Sequence, residues 1–148
     1  MSRRQARECA IQFLYSVDFN KNEDMEEQLR DFMDAESTSE DELCNAALND
    51  NDRAFAENIL NGTLAQLEKI DDIIGKYSHG WQKERIAKVD LAILRLALYE
   101  ILFAEDIPES VSANEAIELA KKYSTEESGS FINGIIGKVI KDKTSQGI

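Results

Sequence analysis

Three arginines near the start of the chain, Arg3, Arg4 and Arg7, are the side chains whose types and spacing come closest to a chemical site. At about 100° per residue they fall on a different arc from the apolar line Ala6, Cys9, Ala10, Phe13 and Val17, and Tyr15 lands beside Arg4. Gln5 and Gln12 lie nearby. Guanidinium groups bind phosphates and a tyrosine ring stacks on an unpaired base, a combination suited to single-stranded RNA. Changing the three arginines is expected to spare the fold, because they stand off the core stripe.

Catalytic chemistry finds little support. His79, the sole histidine, sits in YSHGW and reads as a surface loop residue. Cys9 lies on the apolar face of the first segment, where a thiol is a small core residue with nothing nearby to lower its pKa. Cys9 and Cys44 lack CxxC spacing and only His79 could join them, so neither a structural zinc site nor a disulfide framework is expected. No phosphate-cradling GxxxxGK[ST] or GxGxxG and no HExxH is present. Gly134 and Gly137 share a narrow arc of the last helix with Ser130 and Lys141 and read as close helix packing or close approach of a partner backbone. No catalytic residue, metal or cofactor is assigned.

The composition fits a binding protein of one domain spanning residues 1–148. With 43% hydrophobic residues the chain can build a core, and one proline with seven glycines is too few for the turns of a sandwich or barrel. The net charge of −12 argues against a polyanionic partner. That charge is uneven, however: residues 1–17 carry +2, whereas residues 18–57 carry −11. A small basic patch can therefore act locally, within a Debye length of about 8 Å. Arg95 and Glu100 interrupt the longest apolar stretch, which excludes a membrane span, and no signal-peptide pattern follows the basic start. The expected location is cytoplasmic.

The elements that must position the arginines are all helical. The first segment is an amphipathic helix, and Met25, Leu29, Phe32 and Met33 mark a second. A short, weakly patterned helix is expected over residues 43–48. A long one should run from Asn51 to Ile74, stopped by Gly75 as a C-terminal cap. VDLAILRLALYEILF is apolar all round, as a central helix is. Pro108 marks its exit, and Ser112 with Glu115, then Ser124 with Glu127, have capping-box spacing ahead of two further helices. The expected fold is all-α, a compact bundle of about six or seven helices.

The order of these segments carries a resemblance. RRQARECAIQFLY, VDLAILRLALYEIL and IPESVSANEAIELAKKYSTEESGSFINGIIGKV resemble, in register along nearly the whole chain, the NusB family of bacterial transcription antitermination factors. NEAIELAK followed by FINGII is the most specific part. The resemblance implies two packed helical bundles without enzymatic activity. It implies a heterodimer with NusE, a small-subunit ribosomal protein, that binds the single-stranded boxA element of ribosomal RNA leaders. That pair helps assemble a termination-resistant complex around transcribing RNA polymerase. It further implies RNA contacts by Arg3, Arg4, Arg7, Tyr15 and Phe131, and partner docking on a surface including Tyr99. Relatives include monomers and homodimers. Some carry a basic residue just before the phenylalanine, where this chain has Gly129 and Ser130, and many carry an acid at Gly137. The RNA surface is thus expected to be less basic here.

Two alternatives come from other classes. One is a helical scaffold that binds only protein, which RNA titration with and without the partner distinguishes. The other is a helical enzyme using Glu100, Arg95 and His79, which needs those three at one cavity. Arg95 and Glu100 are instead expected to be structural, each with an opposite charge or several backbone acceptors within reach and not necessarily paired with the other, because an unpaired charge in that helix costs several kcal/mol.

Overall fold

The computed structural model describes residues 3–17, 24–34, 49–78 and 86–146. Among them run seven helices and no strand: α1 (Arg3–Val17), α2 (Met25–Asp34), α3 (Asp50–Ala65), α4 (Leu67–Tyr77), α5 (Lys88–Phe103), α6 (Glu109–Tyr123) and α7 (Glu126–Gln146). Cys44, His79 and the expected short helix over 43–48 lie outside the described residues.

The centre of the bundle is α5, which packs against α1, α3, α4, α6 and α7. Every residue from Asp90 to Leu98 is buried, as the absence of a polar face requires. Around it, Ala6, Ala10, Phe13 and Val17 of α1 and Ile59 and Leu60 of α3 join one apolar cluster with Ile132, Ile135, Ile136 and Val139 of α7. Phe32 of α2 meets Phe13 with ring centroids 5.3 Å apart. Cys9 is fully buried, as expected, but is disulfide-bonded, a link that the cysteine spacing does not foretell.

Several boundaries differ from the sequence expectation, each for a local reason. The long helix breaks at Gln66, whose N–H bonds back to the carbonyls of Gly62 and Thr63. The Thr63 hydroxyl also donates to the Ile59 carbonyl at 2.6 Å, a back-bond that bends helices. Gly75 does not stop α4, which runs on to Tyr77; the buried Tyr77 ring is anchored by its hydroxyl to Asp142 of α7. Helix α6 begins at Glu109, behind Pro108, so Ser112 is not its cap but a buried residue inside it. The cap of α7 is shifted by one position: the Thr125 hydroxyl accepts from the Ser128 N–H at 3.0 Å. Gly134 and Gly137 make no close packing contact among the described residues, since a Cβ at either would meet nothing within 4 Å.

Of the two partners allowed to the charges in α5, an opposite charge or backbone acceptors, both Arg95 and Glu100 find an opposite charge, and not each other. Arg95, 1% exposed, donates Nε and Nη2 to the two oxygens of Asp71 on α4, both at 2.8 Å. Glu100, also 1% exposed, accepts from Arg7 Nη2 at 2.7 Å and Nε at 3.0 Å, and from the Ser112 hydroxyl at 3.0 Å. At the C-terminal end of α5, Lys143 of α7 donates to the Ile101 carbonyl at 2.8 Å, placing a cation where the helix dipole favours one.

Arg7 is therefore only 4% exposed, which corrects the expectation that all three arginines stand clear of the core. Its line on α1 continues through Ile11 and Leu14, both buried, so the core-facing arc is wider than the stripe drawn through Ala6 and Phe13. Removing one partner of a buried, hydrogen-bonded pair costs about 3–5 kcal/mol, whereas replacing both with apolar residues can be neutral. Glu100→Gln or Arg7→Met should each lower the unfolding free energy measured by denaturant titration by that order, and the Arg7→Met/Glu100→Leu double variant should recover most of the loss.

Candidate nucleic-acid interface

With Arg7 turned inward, the two neighbouring arginines emerge on either side of it. Arg3 leans on α3: its Nη1 donates to the Asn51 carbonyl at 3.2 Å and approaches Asp52 Oδ1 at 3.4 Å. Its guanidinium lies 4.3 Å from the centroid of the Phe55 ring, within cation–π range. Arg4 leans on α6 and forks onto Glu115, with Nε to Oε2 at 2.8 Å and Nη2 to Oε1 at 3.0 Å. The side chains of Arg3 and Arg4 remain 53% and 47% exposed. Between them opens a groove of about 610 Å³ whose walls include Phe55, Ile107, Pro108 and Val111.

One turn beyond Arg4, Glu8 takes the Lys122 ammonium at 2.9 Å and the Tyr123 hydroxyl at 2.6 Å, tying α1 to the end of α6. Tyr15 lies further along the same arc and is 47% exposed, so it is a surface ring and not a core one. The pairings set the local electrostatics. The Arg4 guanidinium hydrogen-bonds to Glu115 and holds that carboxyl below its ordinary range, against the opposing effect of burial. Lys122 is held above its usual pKa by its hydrogen bond to Glu8, and Tyr123 by burial and then by the same carboxylate.

Phe131 is placed elsewhere, in a separate pocket of about 280 Å³ where the N-terminal turns of α5 and α7 meet. Asp90, Thr125 and Ser128 line it with Phe131, over Ile86 and Ala87. The Ser128 hydroxyl donates to Asp90 Oδ2 at 2.7 Å. Asp90 Oδ1 is buried and has no hydrogen-bond partner. Leaving a buried acceptor unmet costs about 1–3 kcal/mol or more. In the sequence Asp90 is one polar residue at the start of the central helix, and its spacing marks no site. Its first-turn position, where an acid favours the helix dipole, explains its charge but not its missing partner.

Tyr99 lies in a third depression, of about 450 Å³, with Phe55, Ile59, Phe103 and Ile107. Its ring stacks on Phe103 with centroids 5.9 Å apart. It also presses on α3 at Gly62, where a Cβ would sit 2.1 Å from the ring. This explains a glycine inside a helix: only hydrogen leaves room for the tyrosine. Among the described residues, no group of three or more histidine, cysteine or acidic side chains could hold a metal ion, and no helix is long and apolar enough to cross a membrane.

In a background of Tyr99→Ala, Gly62→Ala should stabilise the protein by about 1 kcal/mol, the ordinary helix-propensity gain. With Tyr99 present the same substitution should lose that gain or reverse it, because the added methyl overpacks the contact. Thermal melts of the four variants read the sign change, and the same sign in both backgrounds would contradict the packing described.

Comparison with known proteins agrees with this architecture. The NusB family model matches residues 4–141. The transcription antitermination protein NusB of Acetivibrio thermocellus is 47% identical over 143 residues, covering 97% of this chain and 91% of that protein. The structure of T. maritima NusB superposes with a TM-score of 0.80 at 35% identity, covering 96% of this chain and 92% of that one. The fold is also shared, at 24% identity and a TM-score of 0.76, with a crystal structure of antitermination factors NusB and NusE in complex with dsRNA, covering 94% of this chain and 96% of that one. The helix order, the central α5 and nearly full-length similarity lead to one conclusion: the chain belongs to the NusB family of transcription antitermination proteins.

Proposed function

We propose that this protein binds single-stranded RNA of the boxA type in ribosomal RNA leaders, as a heterodimer with NusE, and thereby helps hold transcribing RNA polymerase in a termination-resistant state. It acts in the cytoplasm, without a cofactor, by binding and not by catalysis. The observation that carries this reading is the exposed face of α1, where Arg3, Arg4 and Tyr15 offer two guanidinium groups and an aromatic surface. Arg3 and Arg4 contact phosphates, and Tyr15 stacks on a base. Arg7, held by Glu100, lies beneath this face and lines the same groove as Arg3 and Arg4, so its first role is to support them. Phe131, which shares its pocket with Asp90 and Ser128, supplies a second stacking surface.

Two phosphate contacts from a protein of net charge −12 give weak binding, so a second, basic protein is needed to complete the site. We assign its docking surface to the depression around Tyr99, because a half-buried tyrosine with a large apolar ring and a polar tip is a common interface anchor. The acidic remainder of this chain favours such a partner electrostatically.

Fluorescence titration of a boxA-like RNA, with and without NusE, tests the reading. NusE should tighten binding, and Tyr99→Ala should abolish that gain while leaving the helical circular dichroism intact. With NusE present, Arg3→Ala and Arg4→Ala should each reduce the log–log salt slope by about 0.7. Tyr15→Ala and Phe131→Ala should each cost about 1–3 kcal/mol of binding with the slope unchanged. NusE binding without any RNA affinity would replace this reading with that of a protein scaffold.

A further inference from the structure

The two arginine–carboxylate forks of α1 share a geometry but differ in what holds the acid. Glu100 is buried and accepts from both Arg7 and the Ser112 hydroxyl. Glu115 accepts its two hydrogen bonds from Arg4 alone, and its side chain is 16% exposed against 2% for Glu100. A carboxylate and a phosphate present the same pair of acceptors to a guanidinium fork. The edge of Arg4 that would grip a phosphate is thus already filled by an acid of its own chain, on a surface that water reaches.

We propose that Glu115 is an affinity-setting residue, a counter-ion that competes with the RNA backbone for Arg4. This rests on the RNA reading above. Binding then proceeds by exchange: Arg4 leaves Glu115 as it takes a phosphate, and Glu115 turns to solvent through the groove wall it shares with Pro108 and Val111. The exchange is feasible for Arg4 because an exposed pair is weak, and is not feasible for Arg7, whose departure would strand a buried carboxylate. Glu115 thus keeps the free protein's grip on arbitrary polyanions low, and only an RNA held by further contacts draws Arg4 away.

The test is RNA titration, with NusE present, of the wild type, Glu115→Gln, Arg4→Ala and the double variant. Releasing an exposed ion pair changes an equilibrium by at most about five-fold, so Glu115→Gln should bind roughly three- to five-fold more tightly. In the Arg4→Ala background the same substitution should give no gain. An unchanged affinity for Glu115→Gln would overturn the proposal while leaving the RNA reading intact. An equal gain in both backgrounds would also overturn it, since that is the effect of merely removing a negative charge near a polyanion. A wild type that binds no RNA would overturn both the competition and the RNA reading beneath it. Glu115→Ala serves as an independent variant with the same expected sign, and circular dichroism verifies that each variant is folded.

Discussion

A single buried ion pair sets the geometry of the α1 surface. Arg7 from α1 reaches Glu100 on the central helix, and Ser112 from α6 completes the carboxylate's hydrogen bonding. Three helices thus meet at one polar point inside an apolar cluster. Such a pair contributes little net stability, because desolvating both charges offsets their attraction. What it provides is orientation. With Arg7 fixed inward, rotation of α1 about its axis is specified, so Arg3 must emerge toward α3, Arg4 toward α6, and Tyr15 onto the same side as Arg4. A helix held only by its apolar stripe would slide more freely, since alanine and valine contacts are not directional.

The surface built on that pair is electrostatically self-matched. Arg3 faces Asp52, Arg4 faces Glu115, and Lys122 faces Glu8. A chain of net charge −12 can do this without strain, and it means that a basic sequence segment need not be a bare basic patch. Burial separates the pairs into two kinds. Where both partners are excluded from water, breaking the pair strands a buried charge, and where water reaches them the pair is weak. The same distinction sets buried Arg7 apart from Arg3 and Arg4, whose side chains remain about half exposed.

Much of this was legible from residue patterns. Periodicity found α1, α2, the central α5 and the two C-terminal helices, because each buries a face whose spacing appears in the chain. The need of Arg95 and Glu100 for polar partners followed from their place in a helix with no polar side. What pattern reading missed was tertiary. Helical projection placed Arg7 with Arg3 and Arg4, but the polar atoms of another helix decided which of the three turned inward. Ile11 and Leu14, on the same line as Arg7, were the available signal, together with the charge of Glu100 still lacking a named partner. Ser112 and Glu115 carried the spacing of a cap and serve other side chains, because Pro108 starts the helix earlier. The unmet oxygen of Asp90 could not be read from sequence at all, since it depends on Ser128 satisfying only one of two acceptors.

The division of labour among the arginines is the central claim, and their guanidinium Nε–H resonances test it most directly. In a heteronuclear NMR titration with single-stranded RNA and NusE, the Arg3 and Arg4 signals should shift with RNA concentration. The Arg7 signal should stay in place and remain protected from exchange with water. Movement of Arg7 together with Arg3 and Arg4, or three signals unmoved while RNA is bound, would contradict the account.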